Sequence, residues 1–159
     1  MRNFNKKAHG KYKKIIAFEP DTYNYECLSR LKQQNVIKKN IGLWDENREL
    51  SFTNGGGCGS KIFGESTDSI KVMRLDDVEE CRDATYIKMD IEGAERRALK
   101  GAENIIKQNH PKLAICLYHS DEDMICIPEY IHKLEPRYQI YVRHHSRYAV
   151  ETVLYAVYK

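Results

Sequence analysis

The chain has 159 residues, 42% of them apolar and 31% charged, with a formal net charge of +3. That length suits one domain with a real core. The mild charge neither demands nor excludes a nucleic-acid partner, for which the basic N-terminus is the sole support, and no apolar run approaches the ~20 residues of a membrane span. The basic N-terminus lacks the apolar stretch of a signal peptide. The five cysteines (Cys27, Cys58, Cys81, Cys116, Cys126) are scattered without CxxC spacing, which argues against a disulfide framework or a zinc site and for a reducing, cytoplasmic setting.

Residues 1–13 read as a basic tail or a helix remnant. Lys14 to Phe18 is a central-strand candidate, stopped by Glu19-Pro20-Asp21, with Asp21 as N-cap of a helix from Thr22 to Gln34. Tyr25, Leu28 and Leu31 supply that helix with an apolar stripe, and Glu26 and Arg30 pair at i,i+4. Val36 to Leu43 reads as the next strand, followed by a turn from Trp44 to Asn47. Glu49 to Thr53 alternates and suggests half of an antiparallel excursion. Asn54 to Ser60 is glycine-rich but does not match GxxxxGK[ST]; a phosphate cradle, a lid and a plain loop all stay open. Ser69 to Arg74 alternates as a strand, and Leu75 to Val78 opens a short helix or turn.

The most informative stretch is Ala84 to Gly101. An apolar run through Met89 predicts a strand covered on both faces, ending in Asp90, Glu92 and Gly93. From Ala94 the period lengthens to that of a helix. Ala94, Ala98, Ala102, Ile105 and Ile106 form its apolar side, and Glu95, Arg96, Arg97 and Lys100 its polar side. Asn109-His110-Pro111 stops it. Lys112 to Tyr118 is a further buried strand capped by His119-Ser120-Asp121, and Ile127 to Leu134 is helical with Pro128 in the first turn. Tyr138 to Arg143 and Thr152 to Tyr158 are two closing strands. The alternation predicts one α/β domain over residues 1–159: a mostly parallel open sheet, helices on both faces, and an antiparallel strand near one edge.

In such a sheet the strand ends share one crevice, where ligands bind. Glu19, Asp90 with Glu92, and His119 fall there. Glu19 suits the two hydroxyls of a ribose, or the dipole of the helix that follows. Asp90 has little reason to follow YIKM for packing, because an unpaired buried acid is costly. Its bland alternatives are an ion pair with Lys88 or a cap for the Ala94 helix, and Glu92 reads better as such a cap. His119 is a candidate general base oriented by Asp90, or a structural histidine. His144 and His145 read as loop residues. With His119 they could form a metal site, but no spacing requires one, and no metal is expected.

The segments FEPDTYNYECL, IGLWDENRELSF, TYIKMDIEGAERRALKGAENIIKQNHPKLAICLYH, VRHHS and ETVLYAVY resemble the FkbM-type methyltransferases, from Ile15 to the C-terminus. The resemblance implies a Rossmann-like fold and S-adenosylmethionine (SAM)-dependent methylation of a hydroxyl on a sugar or other small molecule. It implies that Glu19 with Pro20 binds the cofactor ribose, that Leu43, Trp44 and Asp45 lie near the adenine, and that Asp90 faces the methyl-donor and acceptor site, where Asp90 or His119 would take the hydroxyl proton. The family's first strand and glycine-rich loop, a D-x-G-A-x-x-G type motif, should precede FEPD by a few tens of residues. Only thirteen residues come before Lys14, and they carry neither pattern. The expectation is therefore the family fold without its N-terminal strand and with half of the cofactor pocket missing. The alternative is a non-catalytic binding or scaffold domain that self-associates into a homo-oligomer through an exposed strand edge.

Overall fold

A computed structural model of the chain describes residues 11–52, 68–148 and 150–159. The glycine-rich loop from Asn54 to Ser60 lies outside the described residues. In chain order the strands are β1 (Ile15–Phe18), β2 (Val36–Lys39), β3 (Gly42–Leu43), β4 (Arg48–Phe52), β5 (Asp68–Met73), β6 (Tyr86–Met89), β7 (Lys112–Cys116), β8 (Tyr138–His144) and β9 (Thr152–Tyr158). The α-helices are α1 (Thr22–Ser29), α2 (Glu95–Lys100), α3 (Glu103–Asn109) and α4 (Asp123–Leu134). Two turns of 3-10 helix, Leu75–Asp77 and Glu79–Cys81, precede β6. No helix among the described residues is long and apolar enough to cross a membrane.

The architecture is α/β, but the sheets are mixed. β1 pairs with β2 in parallel. β5 pairs in parallel with β3 and antiparallel with β4. The largest sheet has the order β6-β7-β9-β8, with β6 and β7 parallel and β9 antiparallel to both its neighbours. The expected mostly parallel sheet with helices on both faces is corrected accordingly. The closing pair gives one reason: β8 returns into β9 over a connection too short for a parallel crossover, and β4 likewise pairs antiparallel with β5. The antiparallel strand itself is where the closing pair predicted it, one place in from the edge.

The core lies on one face of the β6-β7-β9-β8 sheet. Ile87 and Met89 of β6, Leu113 and Ile115 of β7, and Leu154 and Ala156 of β9 meet Leu99, Ile106, Ile127 and Ile131 of α2, α3 and α4. Each such fully buried aliphatic side chain contributes about 1.5–3 kcal/mol. The other face carries a smaller cluster of Ala114, Cys116 and Val153 beneath Tyr118 and Tyr155. β6 therefore alternates, with Ile87 and Met89 buried and Tyr86 and Lys88 exposed, instead of being covered on both sides. β7, between β6 and β9, is buried from Leu113 to Cys116.

Several boundaries differ from the periodicity, each for a visible reason. α1 starts where Asp21 predicts, with the Asp21 carboxylate accepting from Asn24 N–H at 2.7 Å. It stops at Ser29 because Lys38 Nζ donates to the Ser29 and Leu31 carbonyls, at 2.9 and 2.6 Å. The expected stripe does not form: α1 buries no residue, and Leu31 is 50% exposed. The predicted strand from Val36 to Leu43 splits at Asn40, whose Nδ2 donates to the Glu19 and Pro20 carbonyls, so β2 and β3 join different ladders. α4 begins earlier than predicted. Asp123 N–H donates to the Ser120 carbonyl, which leaves Pro128 inside the helix.

The helix expected from Ala94 to Gln108 breaks at Gly101. The Gly101 carbonyl accepts from Asp76 N–H at 2.9 Å. The Asp76 carboxylate, 4% exposed, accepts from Asn104 and Ile105 N–H and so caps α3 from far along the chain. This contact needs a glycine. A Cβ on Gly101 would lie 1.9 Å from the Trp44 carbonyl oxygen and 3.2 Å from Arg74 Cα. Both are backbone atoms and cannot swing away. Gly101→Ala should destabilise the fold by about 3 kcal/mol, at the upper end of overpacking costs. Urea unfolding should show a lower midpoint with an unchanged slope.

Candidate active site

The C-terminal ends of β6 and β7 bring four acids and a histidine together. Asp90 follows β6 directly. Its Oδ1 accepts from the Tyr118 hydroxyl at 2.7 Å and lies 3.8 Å from His119 Nε2; its Oδ2 is 3.2 Å from Lys88 Nζ. The chain then turns through two left-handed residues, Glu92 (φ 56°) and Gly93 (φ 95°). The turn points Glu92 Oε2 to within 3.6 Å of the same Nε2. Glu95, at the start of α2, is fully buried. Its carboxylate accepts from Ile91 N–H at 2.8 Å and Gly93 N–H at 2.9 Å, and its Oε1 lies 3.1 Å from His119 Nδ1. The His119 side chain is 9% exposed, and its ring tilts against that of Tyr118. Beneath the cluster, the buried Asp123 is 3.2 Å from Arg96 Nε, and Arg96 also donates to Glu122.

The electrostatics divide these acids. Burial by itself raises the Asp90 carboxyl, but the Tyr118 hydroxyl, the Lys88 charge and the Cys116 thiol outweigh it and hold Asp90 below the usual carboxylate range. Burial raises Glu95, against the opposing effect of its backbone N–H donors and His119. Asp123 is raised for the same reason, against Arg96 and His119. The partners of Asp90 pay the reciprocal effect. Burial first, and then the Asp90 charge, push the Tyr118 phenol up and the Cys116 thiol up to about 12.

The sequence-predicted residues fall into two groups. Asp90 and His119 come together as expected, and the Lys88 ion pair forms as well. Glu19 sits at the end of β1, half-buried, with Oε1 accepting from Asp21 N–H at 3.1 Å; among the described residues its second oxygen accepts no hydrogen bond. Burial raises its carboxyl above the usual range, against the Asp21 amide. Pro20 adjoins Gly42: a Cβ there would lie 3.5 Å from Pro20 Cβ. Leu43 pairs with Met73. The Trp44 ring is 3% exposed and packs with Ile70, Val72 and Ala94. Asp45 pairs with Arg97 at 2.7 Å, and that guanidinium lies over the Trp44 ring. Leu43 to Asp45 thus dock β3 onto α2. His144 and His145 bond to Thr152 and Tyr155, both at 2.9 Å. Among the described residues no group of three or more His, Cys, Asp or Glu is arranged to hold a metal ion.

Sequence reasoning missed Glu95. Helical periodicity assigned it to the polar, outward side with Arg96 and Arg97, whereas it is among the most buried side chains of the molecule. Its place in the first turn of α2, two residues after Gly93, was the one available signal.

Strand-end acids around a buried histidine lie at the sheet edge where open α/β folds hold small ligands. Residues 2–146 match the model of the methyltransferase FkbM domain, and the chain belongs to that family. Its structure also resembles the crystal structure of methyltransferase FkbM from Methylobacillus flagellatus KT, with a TM-score of 0.80 and 29% sequence identity. The match covers 98% of this chain and 39% of that one, so the chain spans well under half the length of this neighbour. No curated protein sequence matches.

The Tyr118 hydroxyl is the shortest contact to Asp90, so Tyr118→Phe should raise the Asp90 pKa toward its ordinary value near 3.9. A depressed carboxylate contributes stability above its unfolded pKa and loses it as pH falls through the folded one. The variant should therefore be less stable than wild type by about 0.5–1 kcal/mol at neutral pH, discounted for solvent exposure, with the gap closing in acid. Urea unfolding at several pH values, with carboxyl-carbon NMR of Asp90, measures both.

Proposed function

We propose that this chain carries the acceptor side and part of the cofactor side of a SAM-dependent O-methyltransferase acting on a small-molecule hydroxyl. Family membership supports methyl transfer, and the observation that supports the site is Asp90. It is a carboxylate 39% exposed at a strand end and backed at 3.8 Å by a buried histidine.

SAM supplies an electrophilic methyl group on a sulfonium. Glu19 fits its ribose, because one carboxylate oxygen is held by the chain and the other is uncommitted among the described residues. Pro20 fixes the backbone at that point. Asp90 accepts a hydrogen bond from the acceptor hydroxyl and orients its oxygen. A carboxylate held below its usual pKa is a weak base, so Asp90 alone is poorly suited to keep the proton. The Asp90–His119 pair takes it, with His119 Nε2 as the final site.

Calorimetry with SAM and a methyl-transfer assay separate these roles. Glu19→Gln should weaken SAM binding about tenfold or more, the loss of one charge-assisted hydrogen bond. Asp90→Asn and His119→Asn should bind SAM as wild type does but lower kcat by about 10²–10⁴. Absence of SAM binding by the protein, or full turnover by Asp90→Asn, would overturn the proposal.

A further inference from the structure

We propose that Glu95 is the positioning residue of His119. Its carboxylate takes the proton-bearing Nδ1 edge of the ring and leaves Nε2 free to receive the proton that Asp90 collects. The proposal rests on the reading that the Asp90–His119 pair takes the acceptor's proton.

Three observations carry it. First, Glu95 is fully buried, although its place in the helical pattern would leave it in solvent. A buried carboxylate is retained only with partners, and an ionised one has about four acceptor positions. The Ile91 and Gly93 amides fill two of these, one on each oxygen. Second, the nearest carboxylate to the ring is on the Nδ1 side: among the described residues Glu95 lies 3.1 Å from Nδ1, whereas Glu92 and Asp90 stand off from Nε2 at 3.6 and 3.8 Å. Asp123 approaches from α4 but is held by Arg96. Tyr118 tilts against the ring and sends its hydroxyl to Asp90. Third, the two faces differ in wetness: Glu95 is 0% exposed, and Asp90 and Glu92 are each 39% exposed. The Nδ1 side is sealed and suits a fixed proton. The Nε2 side leads toward the acceptor.

Neither ring nitrogen makes an aligned hydrogen bond among the described residues, so the Glu95 contact is close but off-line. Contacts of this kind in ligand-free sites tighten when substrate completes the site. A carboxylate behind a histidine sets tautomer and ring orientation, and its loss commonly costs 10- to 100-fold in function where the histidine is a metal ligand. We carry that magnitude over to a histidine that moves a proton.

Long-range proton–nitrogen NMR on histidine-labelled protein reads the tautomer directly. Neutral His119 should be protonated at Nδ1, with a lone-pair-type nitrogen signal at Nε2. Glu95→Gln should shift it to the Nε2–H form or to a mixture, and should lower kcat about 10- to 100-fold while SAM affinity stays within twofold. A merely structural role for Glu95, holding the turn through the Ile91 and Gly93 amides, does not require the Nδ1–H tautomer in the wild-type protein. An Nε2–H tautomer in the wild-type protein overturns the proposal, and this spectrum decides even if Glu95→Gln fails to fold. An unchanged tautomer in folded Glu95→Gln also overturns it. The underlying reading fails separately: full turnover by His119→Asn, with the wild-type tautomer as proposed, removes the base but not the Glu95 contact.

Discussion

The structure of the site depends on one buried carboxylate. The turn from Ile91 to Gly93 runs through two left-handed residues, and Glu92 is not a glycine. Such a conformation costs about 1–2 kcal/mol for an ordinary residue. The Glu95 carboxylate offsets that cost by accepting the Ile91 and Gly93 amides, both at or below 2.9 Å. These are charge-assisted bonds in a dry setting, where they are strong and where losing them would leave a bare charge. The turn they hold is what lets Asp90 and Glu92 reach over His119 from one side while Glu95 faces it from the other. Remove the carboxylate, and no local preference of the sequence would hold the turn in this shape.

The rest of the fold keeps α2 still, so that the turn has a fixed base. At its far end the helix runs into Gly101, which lies against the Trp44 carbonyl with no room for a side chain. The Asp76 amide takes the Gly101 carbonyl, and the Asp76 carboxylate caps α3. On its flank, Arg97 bridges to Asp45 and covers Trp44. Leu99 and Ala98 fix its buried side in the core. A helix of only six residues would not be stable alone. It is held here by contacts from β3, the 3-10 turns and β7, all distant in sequence. A site carried on elements tied down in this way keeps its distances better than one carried on loops.

Membership of the FkbM methyltransferase family and this geometry bear on different parts of the question. The family accounts for the α/β frame and is the support for the methyl transfer proposed above. The geometry accounts for how the charges in the cluster differ. Asp90 is kept ionised by Tyr118 and Lys88 and stays half in solvent, whereas Glu95 and Asp123 are buried and raised. Environments that drive neighbouring acids apart are what acid–base sites need, since one fold must then supply groups of different proton affinity. The residues proposed for the cofactor side are less alike. Among the described residues one Glu19 oxygen accepts no hydrogen bond, while Trp44 and Asp45 are occupied in holding β3 to α2.

Much of this was legible in the sequence. The strands β6, β7 and β9 follow from their apolar runs. Asp21 is read as a cap from residue type alone, and His110-Pro111 ends α3 because a left-handed residue followed by proline cannot continue a helix. The pairing of Asp90 with His119 follows from both lying just past parallel strands. These are local properties: side-chain period, backbone preference and position relative to a strand end. What the sequence could not determine was set by partners far away in the chain. Lys38 ends α1, Asn40 divides one predicted strand into two ladders, and the approach of Trp44 breaks the helix at Gly101. The clearest case is Glu95. Helical period places it in water; its burial becomes favourable once the turn bends the Ile91 and Gly93 amides onto it and β7 brings His119 alongside. Periodicity reports which side of a helix is apolar. It does not report which polar residue will find its partners inside, because those partners come together only when the chain has folded.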